Sequence, residues 1–434
     1  MGVSSTAQRL DKLSAASRLV IVIGTLFVAA SSLSNIFVNV YIWKVDHSFV
    51  AIGLFNLLLY ASLPLAFVIA GYLAHRFGEL WLLRIGVILL VAFFMIILML
   101  GEKSAHHVIW LGIFSGLGQG TYWFGYHVIT FDLTNDANRG LFGGLSGLFG
   151  SLVSMVGPFV AGYLIVHGAR FAGYHLVFGL SVALFATLFY LSFRVPSAKQ
   201  PEPLHLSEGF RFGVDIDWRR LWIGSSVFGL REGLFSFYIG LMVYFVTKSE
   251  EGLGIYGLWT GLLSLIAFYL AGKCTRSVIW GRRLMFLASW IVGIVGLVFI
   301  WEVSRRSLIV FGAVTATALP FMLVPFGVMN MNEIDESDRS ARFRSEHLIS
   351  RELALGLGRI ISLCTFLIVA IYAKSASSLV TLAACLGFAH AIVTWVVRKV
   401  RYDNRRERRD NHQSHVVFEQ PSRLRSIRGN KKLK

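Results

Sequence analysis

Three charged residues lie deep inside long apolar segments of the chain. Arg231 and Glu232 are adjacent and far from either end of the segment 221–247, and Arg359 lies within the segment 352–372. On insertion scales, an ionised side chain at the centre of a membrane helix costs at least about 2.5 kcal/mol. Such residues face a protein partner or a water-filled cavity, so we interpret the three as a candidate site for proton coupling or ion pairing.

Two interpretations of this charged group are open. Neighbouring residues on a helix point about 100° apart, so Arg231 and Glu232 do not simply neutralise each other. In the functional interpretation, Glu232 takes up and releases a proton, while Arg231 or Arg359 binds an anionic group of a substrate or tunes the carboxylate. In the structural interpretation, an ion pair between the two segments holds one conformation.

A histidine and rows of polar and aromatic side chains accompany the charged group. His127 is a further candidate for a proton path, or else a hydrogen-bonded core histidine. Polar or aromatic residues recur at helical spacing in the segments 18–43, 107–131 and 221–247. The residues expected to line a substrate cavity are Asn35, Asn39, Gln119, Tyr122, Trp123, Tyr126, Ser236 and Tyr238. Hydrogen bonding between helices and an aromatic belt at the membrane interface are the alternative roles.

The composition is that of a membrane protein. Of 434 residues, 55% are hydrophobic and only 15% are charged, and the mean hydropathy is +0.65. A spanning helix needs about 20 apolar residues, and the apolar segments predict twelve such helices. The formal net charge is +17. Because the basic residues fall in alternate loops and in the final segment, we assign them to cytoplasmic loops beside anionic lipid and not to nucleic acid.

The sequence contains no motif for catalysis, metal binding or nucleotide binding. Its three cysteines, Cys274, Cys364 and Cys385, are scattered and give neither a disulfide framework nor metal-ligand spacing. No G-x-x-x-x-G-K-[ST], G-x-S-x-G or H-E-x-x-H pattern occurs. We therefore predict that the protein is not an enzyme, holds no cofactor or metal, and draws its energy from an ion gradient.

The segment 71–78 predicts a tight turn between two membrane helices, because apolar runs of helical length lie on either side of it. Gly71 and Gly78 permit close backbone approach and unusual φ values. Arg76 adds positive charge, which predicts a cytoplasmic position for the turn.

This turn resembles a signature of the major facilitator superfamily, roughly G-x-L-A-D-R-x-G-R-K. The matching residues are Gly71, Leu73, Ala74, Arg76 and Gly78, and His75 stands where the family has Asp. A second segment is similar to the helix 5 motif of many proton-coupled antiporters in the superfamily, roughly G-P-x-x-x-G-x-L, at Gly157, Pro158 and Gly162. Pro158 removes one backbone hydrogen bond, so the helix is pliable there. We expect both segments to act in gating.

The two halves of the chain repeat each other. Val40-Tyr41 matches Val243-Tyr244, and the segment 150–154 matches 358–362. The resemblance implies two related bundles about an axis along the membrane normal. The charged segment 332–351 is expected to be a loop. We predict an all-α membrane protein of twelve helices in two six-helix bundles, with a cytoplasmic N-terminus at 1–17, bundles at 18–193 and 221–397, a linker at 194–220 and a basic cytoplasmic tail at 398–434.

The resemblance implies secondary active transport of a small molecule by alternating access with proton coupling, and the 157–164 segment implies export. A flippase for a lipid or lipid-linked saccharide is the first alternative, and it requires a groove that opens laterally to the bilayer. A non-transporting membrane sensor or scaffold, whose function lies in the basic tail, is the second. The expected partners are a small-molecule substrate, protons and membrane lipids. The expected form is a monomer in the plasma membrane with both termini in the cytoplasm.

Overall fold

The computed structural model describes residues 13–134, 138–168, 171–196, 203–213, 215–274, 277–335, 343–373 and 375–400. Within these ranges the regular structure is helical throughout. Most of the predicted N-terminal segment (1–12), most of the predicted tail (401–434) and linker positions 197–202 and 214 lie outside the described residues.

The described ranges contain twelve long helical spans, here numbered in chain order. They are α1 (Ala15–Asp46), α2 (Phe49–Phe77), α3 (Glu79–Leu100), α4 (Val108–Leu133), α5 (Arg139–His167), α6 (Ala172–Ser192), α7 (Ile216–Thr247), α8 (Glu250–Cys274), α9 (Val278–Gly296, extended by Val298–Trp301), α10 (Arg305–Asp335), α11 (Arg344–Tyr372) and α12 (Ala376–Gly387 and Ala389–Val397). Two short 3₁₀ helices cover Gly101–His107 and Leu206–Phe210.

Eleven helices in the described part of the chain are long and apolar enough to cross a membrane. The remaining long helix, α4, carries many glycines and polar aromatic residues, which lower its hydropathy. It is nevertheless 26 residues long and packs closely along both α2 and α3. The prediction of an all-α membrane protein with twelve helices in two six-helix bundles is confirmed.

The repeat between the two halves extends to the backbone conformation of matching helix ends. α1 ends at His47 and α7 ends at Lys248, and both residues are left-handed, with φ of 51° and 54°. These are the only non-glycine residues with positive φ in the described ranges. In each case the backbone N–H donates to the carbonyl four residues earlier, at 2.8 Å from Trp43 and 2.7 Å from Tyr244. Equivalent helices of the two bundles therefore stop in the same way.

Glycines on α4 allow it to lie against the backbone of α2. A Cβ atom placed at Gly112, Gly116 or Gly120 would collide with a backbone carbonyl of α2. This spacing of four residues puts the three glycines in one row, as the small-xxx-small pattern requires. The close contact fixes the face of α4 that points toward the centre of the molecule.

The helix bundle has two ends, which we call the linker end and the distal end. The α2–α3 turn, linker residues 203–213 and the start of α1 lie at the linker end, and the α1–α2 and α7–α8 turns lie at the distal end. At the linker end, Gly78 has φ of 80° and its N–H closes α2 on Ala74, after which α3 begins at once. A Cβ at Gly71 would meet Ile349 of α11, so the second bundle packs directly on the glycine.

α11 begins earlier than the sequence predicts. The expectation of a loop over 332–351 is wrong at 332–335, which belong to α10, and from residue 344 onward, because Leu348 and Ile349 are buried and the segment forms one amphipathic helix with the rest of α11. Residues 336–342 lie outside the described residues. The Glu346 carboxylate accepts the backbone N–H of His205, and Trp218 donates its ring N–H to the Gly209 carbonyl, both at 2.9 Å. These bonds dock the described part of the linker on the start of α11 and α7.

Candidate functional site

Glu232 of α7 and Arg359 of α11 form an ion pair inside the second bundle. Oε2 of Glu232 accepts hydrogen bonds from Nε and Nη2 of Arg359, at 3.2 Å and 3.0 Å. Arg359 also donates from Nη1 to Oε1 of Glu352, at 2.6 Å. Arg359 is 7% exposed, whereas 38% of the Glu232 side chain remains accessible. One guanidinium is thus shared by two carboxylates, of which Glu232 is the more accessible.

Close packing of α7 on α11 positions this pair. A Cβ at Gly229 or Gly233 would collide with the backbone of α11, and one at Gly358 would collide with the backbone of α7. Glu352 and Arg359 are seven residues apart, so they lie two turns apart on one face of α11. The glycines bring that face against α7 at the level of Glu232. The sequence placed Glu232 and Arg359 in different segments, and the structure brings them together.

Arg231 does not take part in the pair. Its side chain is 7% exposed, its guanidinium carbon lies 4.3 Å from the Phe235 ring centroid, and its Nε has no hydrogen-bond partner in the described part of the chain. Arg231 lines a cavity of about 260 Å³ between α7, α8 and α10. The cavity wall is mixed, with Thr260, Ser264 and Thr315 beside aromatic and aliphatic side chains. We call this space the Arg231 cavity.

A small polar cavity of about 100 Å³ lies where the two bundles meet. Asn56 donates to Oδ1 of Asn39 at 2.7 Å, and Asn39 donates to the Asn35 carbonyl at 3.1 Å. Ser236 of the second bundle completes the wall together with Tyr60 of α2. The Tyr60 ring lies 5.1 Å from the Arg359 guanidinium, so the first bundle contacts the ion pair directly.

A third cavity of about 390 Å³ lies between α1, α4 and α5. Asn35, Gln119 and Trp123 line it together with Phe27, Val28, Ile36, Ser154 and Pro158. Three of its residues were predicted to face a cavity, and Gln119 also borders the small polar cavity. We call it the α1–α5 cavity.

Three of the aromatic residues expected in a cavity lie elsewhere. Tyr122 is fully buried and stacks on Phe27 with ring centroids 3.7 Å apart, inside the core of the first bundle. Tyr126 stacks on Tyr122 at 5.8 Å, and Tyr238 packs edge-on against Phe366 at 6.2 Å. None of the three lines the cavities described above.

His127 lies beside the cavity-lining tryptophan of α4. Its ring stacks on Trp123 with centroids 5.5 Å apart and an interplanar angle of 26°. Among the described residues its nitrogens make no hydrogen bond. A second histidine that the sequence did not single out, His390 of α12, is 1% exposed, and neither of its ring nitrogens has a partner in the described ranges. It stacks on Phe228 at 5.0 Å.

The two predicted gating segments lie on helices that join the bundles. At the linker end Gly71 packs on α11, while His75 and Arg76 are exposed in the last turn of α2. In α5, a Cβ at Gly157 would collide with Ser32 of α1, and one at Gly162 would approach the Glu250 backbone of α8.

Pro158 lies between these two glycines and packs against α8. Its carbonyl oxygen would lie 2.7 Å from a Cβ at Gly254, and its ring would contact one at Gly257. The α5 segment therefore forms one of the contacts between the bundles in the distal half of the molecule.

An ion pair that the sequence did not predict closes the distal end. Nζ of Lys44 lies 2.5 Å from Oε1 of Glu250, and the Tyr174 hydroxyl donates to the same oxygen at 2.8 Å. Nearby, the Phe245 ring packs against Trp43 at 4.8 Å and against Phe49 at 5.7 Å. Glu250 follows the apolar segment 221–247, and nothing in the sequence indicates a partner for it. In the structure it is the first residue of α8 and is 6% exposed.

The family model of the Major Facilitator Superfamily matches residues 19–332. Among curated proteins, the chain is 32% identical over 387 residues to an uncharacterized protein, YqgE, of Bacillus subtilis, and the match covers 88% of each chain. It is also 40% identical over 167 residues to an uncharacterized protein of Geobacillus stearothermophilus, which covers 38% of this chain and 77% of that protein.

Solved structures with the same fold are transporters. A D-xylose–proton symporter aligns with a TM-score of 0.63 at 15% identity, covering 87% of this chain and 96% of that one. The nucleoside transporter NupG aligns with a TM-score of 0.66 at 12% identity, covering 89% and 99%. The Escherichia coli fucose:proton symporter FucP aligns with a TM-score of 0.59 at 12% identity, covering 87% and 97%. At these identities the likeness is one of fold. Because the family model matches well over half of the chain, this multi-pass membrane protein belongs to the Major Facilitator Superfamily.

Proposed function

We propose that the protein is a proton-coupled secondary transporter of a small molecule, and that Glu232 is the group that takes up and releases the proton. The observation that carries this proposal is the shared guanidinium: Arg359 binds Glu232 and Glu352 at once, and Glu232 remains 38% accessible. Membership of a family of carriers supports transport rather than catalysis.

The charge balance around Arg359 allows Glu232 to change its protonation state. When Glu232 accepts a proton, its ion pair with Arg359 is lost, but Arg359 keeps Glu352 as a counter-charge. A buried cation without any partner is strongly disfavoured, so a lone carboxylate could not release Arg359 in this way. Arg351 on α11 and Arg231 on α7 add positive charge near Glu232, and Tyr60 faces the group from α2.

Protonation also bears on the contact between the bundles. Tyr60 belongs to the first bundle and lies over Arg359, so movement of the guanidinium after loss of the Glu232 pair changes a contact across the interface. A two-state element that a proton biases is what coupling requires. The distal end is closed in this conformation by Lys44, Glu250 and Tyr174, and we propose that it opens in the alternate conformation.

The experiment is a distance measurement that needs no substrate. Spin labels at Lys103 and Arg306, two exposed distal residues of opposite bundles, are introduced after Cys274, Cys364 and Cys385 are replaced by serine. We expect the distance distribution to shift between pH 5.5 and pH 8 in the parent protein. In Glu232→Gln it should match the acidic distribution at both pH values. Glu302→Gln, which removes an exposed carboxylate, is the control and should keep the parent response. A Glu232→Gln protein that still responds to pH like the parent would refute the role of Glu232.

The proposed direction of transport and the proposed orientation in the membrane are supported by the sequence. The segment at Gly157 and Pro158, which is similar to an antiporter motif, supports export, and the basic residues of the loops support a cytoplasmic linker end in the plasma membrane. Deleting the residues after Arg401 distinguishes a transporter from a scaffold whose function lies in the basic tail. A monomeric transporter reconstituted without them should keep its pH-driven distance change, and a scaffold should lose its cellular role.

A further inference from the structure

The facing sides of α5 and α8 are in contact in the distal half of the molecule and separate in the linker half. Distally, Gly254, Gly257 and Gly261 of α8 contact Pro158 and Met155 of α5. The same face of α5 continues at helical spacing to Gly147 and Gly144, and that of α8 continues to Gly272. In the described part of the chain, no heavy atom lies within 4 Å of a Cβ placed at any of these three glycines.

The opposite seam between the bundles does not part in this way. α2 and α11 touch near the distal end at Gly53 and Phe366, at mid-height at Pro64 and Gly356, and at the linker end at Gly71 and Ile349. The gap is therefore confined to the α5–α8 seam. Large apolar side chains are exposed on both helices in this half, such as Leu148 and Phe149 of α5 and Ile266 and Leu270 of α8, so we infer that the gap opens toward the lipid of one leaflet.

Both large cavities border the place where α5 and α8 part. The α1–α5 cavity includes Ser154 and Pro158 of α5, and the Arg231 cavity includes Thr260, Ser264 and Phe268 of α8. Phe268 lies on the α8 face that leads toward Gly272 and is 38% exposed. The interior cavities and the gap are thus neighbours along the same two helices.

Arg231 gives this region a buried cation that has no ion-pair partner among the described residues. Another arginine with the same 7% exposure, Arg84 of α3, donates from Nε and Nη2 to the hydroxyl and carbonyl of Ser192, both at 3.0 Å. Arg231 has no hydrogen bond or ion pair in the described part of the chain; it lies over the Phe235 ring and interacts electrostatically with Glu232 and His390. A guanidinium in a cavity of mixed polarity binds carboxylate or phosphate through two parallel hydrogen bonds.

We propose that the substrate is an amphipathic organic anion whose charged group binds Arg231, whose apolar body occupies the cavity walls, and which enters from the membrane through the α5–α8 gap. The hydroxyls of Thr260, Ser264 and Thr315 make the wall of the Arg231 cavity partly polar, but in this conformation each donates its single proton to a backbone carbonyl, so Arg231 is the principal group for the anion. The apolar side chains of the same cavity, among them Phe235, Phe311 and Leu323, supply surface for the remainder of the molecule. This inference rests on the proposed transport function and names its substrate class.

Binding is tested with decanoate as the probe, because it combines a carboxylate with an apolar chain. The full-length protein in phosphatidylcholine nanodiscs is titrated with decanoate, with decanol as the uncharged analogue and with acetate as the anion without a chain. We expect saturable binding of decanoate and at least about tenfold weaker binding of each analogue, since a charge-assisted pair contributes that much. Equal binding of decanoate and decanol would overturn the anion site.

The arginine is tested by substitution with matched controls. Arg231→Gln should weaken decanoate binding about tenfold or more and leave decanol binding unchanged, while Arg231→Lys should retain part of the affinity. Arg283→Gln removes the same charge from an exposed position of α9 and should have no effect. The thermal midpoint of Arg231→Gln is measured as a control for folding, and we expect it to equal that of the parent. A folded Arg231→Gln protein that loses affinity for decanol as well would contradict a specific role of the charge. Undiminished decanoate binding by a folded Arg231→Gln protein would refute the assignment.

Entry through the gap is tested by filling it. Gly147→Trp places a large side chain on the parting face of α5, and Gly179→Trp places the same side chain in open space on α6. Gly147→Trp should slow decanoate association about tenfold without the same change in the final affinity, and Gly179→Trp should behave as the parent. Association at the parent rate in Gly147→Trp would exclude this route.

The two sources of such an anion are distinguished by the lipid. In nanodiscs that contain phosphatidylglycerol, a membrane lipid that occupies the site should compete and weaken decanoate binding, whereas a solute site should be unaffected. A protein that binds no decanoate but keeps the Glu232-dependent response to pH would end the substrate proposal and leave proton coupling intact. The reverse result would leave the anion site and end the coupling role of Glu232.

Discussion

Lys44 of the first bundle and Glu250 of the second meet at 2.5 Å at the distal end, under the hydroxyl of Tyr174. Glu250 is 6% exposed, so its charge depends on these two partners. The pair joins the end of α1 to the start of α8, which are the helices that must separate if the distal end is to open.

The first prediction concerns this closure. Lys44→Met should leave Glu250 without its cation, lower the free energy of unfolding by about 1–3 kcal/mol, and lengthen the distal distance between labels at Lys103 and Arg306. The exchange Lys44→Glu with Glu250→Lys should restore a short distal distance, because the pair is re-formed with opposite polarity. A single variant whose distal distance equals that of the parent would show that the other distal contacts, those of Phe245 and of Pro158 with α8, hold the end closed without the ion pair.

The second prediction concerns the two carboxylates on Arg359. Without Glu352, the guanidinium depends on Glu232 alone, so release of Glu232 by protonation becomes more costly. In Glu352→Gln, the pH midpoint of the distal distance change should move to more acidic values, whereas Glu232→Gln should abolish the change. The measurement is the same label pair titrated from pH 4.5 to pH 8.5. Identical behaviour of the two variants would mean that the carboxylates act as one unit.

The third prediction concerns the α4–α2 contact. Gly116→Val should push α4 away from the Leu59 carbonyl and lower the free energy of unfolding by about 1–3 kcal/mol. Gly179→Val adds the same side chain where open space surrounds the residue and is the control. The thermal midpoints of the two variants, measured in detergent at equal lipid content, show which variant is less stable. Equal midpoints would show that α4 can shift without loss.

The fourth prediction concerns the amide pair in the small polar cavity. Asn56→Leu removes the donor to Oδ1 of Asn39, which is 6% exposed, and should cost about 1–3 kcal/mol. Replacing both residues by leucine removes donor and acceptor together, so the double variant should be more stable than the single one. If the double variant is the less stable of the two, the amides bind separately and not to each other.

The sequence was sufficient for the fold because its signals are long and redundant. Twelve apolar runs, glycine at the α2–α3 turn and the repeat between halves all indicate the same arrangement, and a buried charge such as Glu232 stands out against an apolar background. The second carboxylate that binds Arg359 was harder to predict. Glu352 is the first residue of the predicted segment 352–372, where the sequence turns polar, so it was not singled out from the charged residues before it, although it shares a helix face with Arg359.

Helical spacing tells which residues share a face, but not the direction in which that face points. The spacing of Tyr122, Trp123 and Tyr126 predicted one aromatic wall, yet Trp123 lines the α1–α5 cavity while Tyr122 is in the core on Phe27. The glycine row of α4 decides the rotation, because it must face α2. The pairing of Lys44 with Glu250 could not be predicted locally, since it depends on how two bundles about 200 residues apart in the chain meet.

The continuous contact of α2 with α11, from Gly53 and Phe366 to Gly71 and Ile349, gives the two bundles a spine. Relative movement of the two bundles is therefore smallest along this contact and greatest on the opposite side, where α5 and α8 part in the linker half. Substitutions along the α2–α11 contact are then expected to alter the stiffness of the whole motion, and those at the α5–α8 gap to alter only the passage of substrate through it.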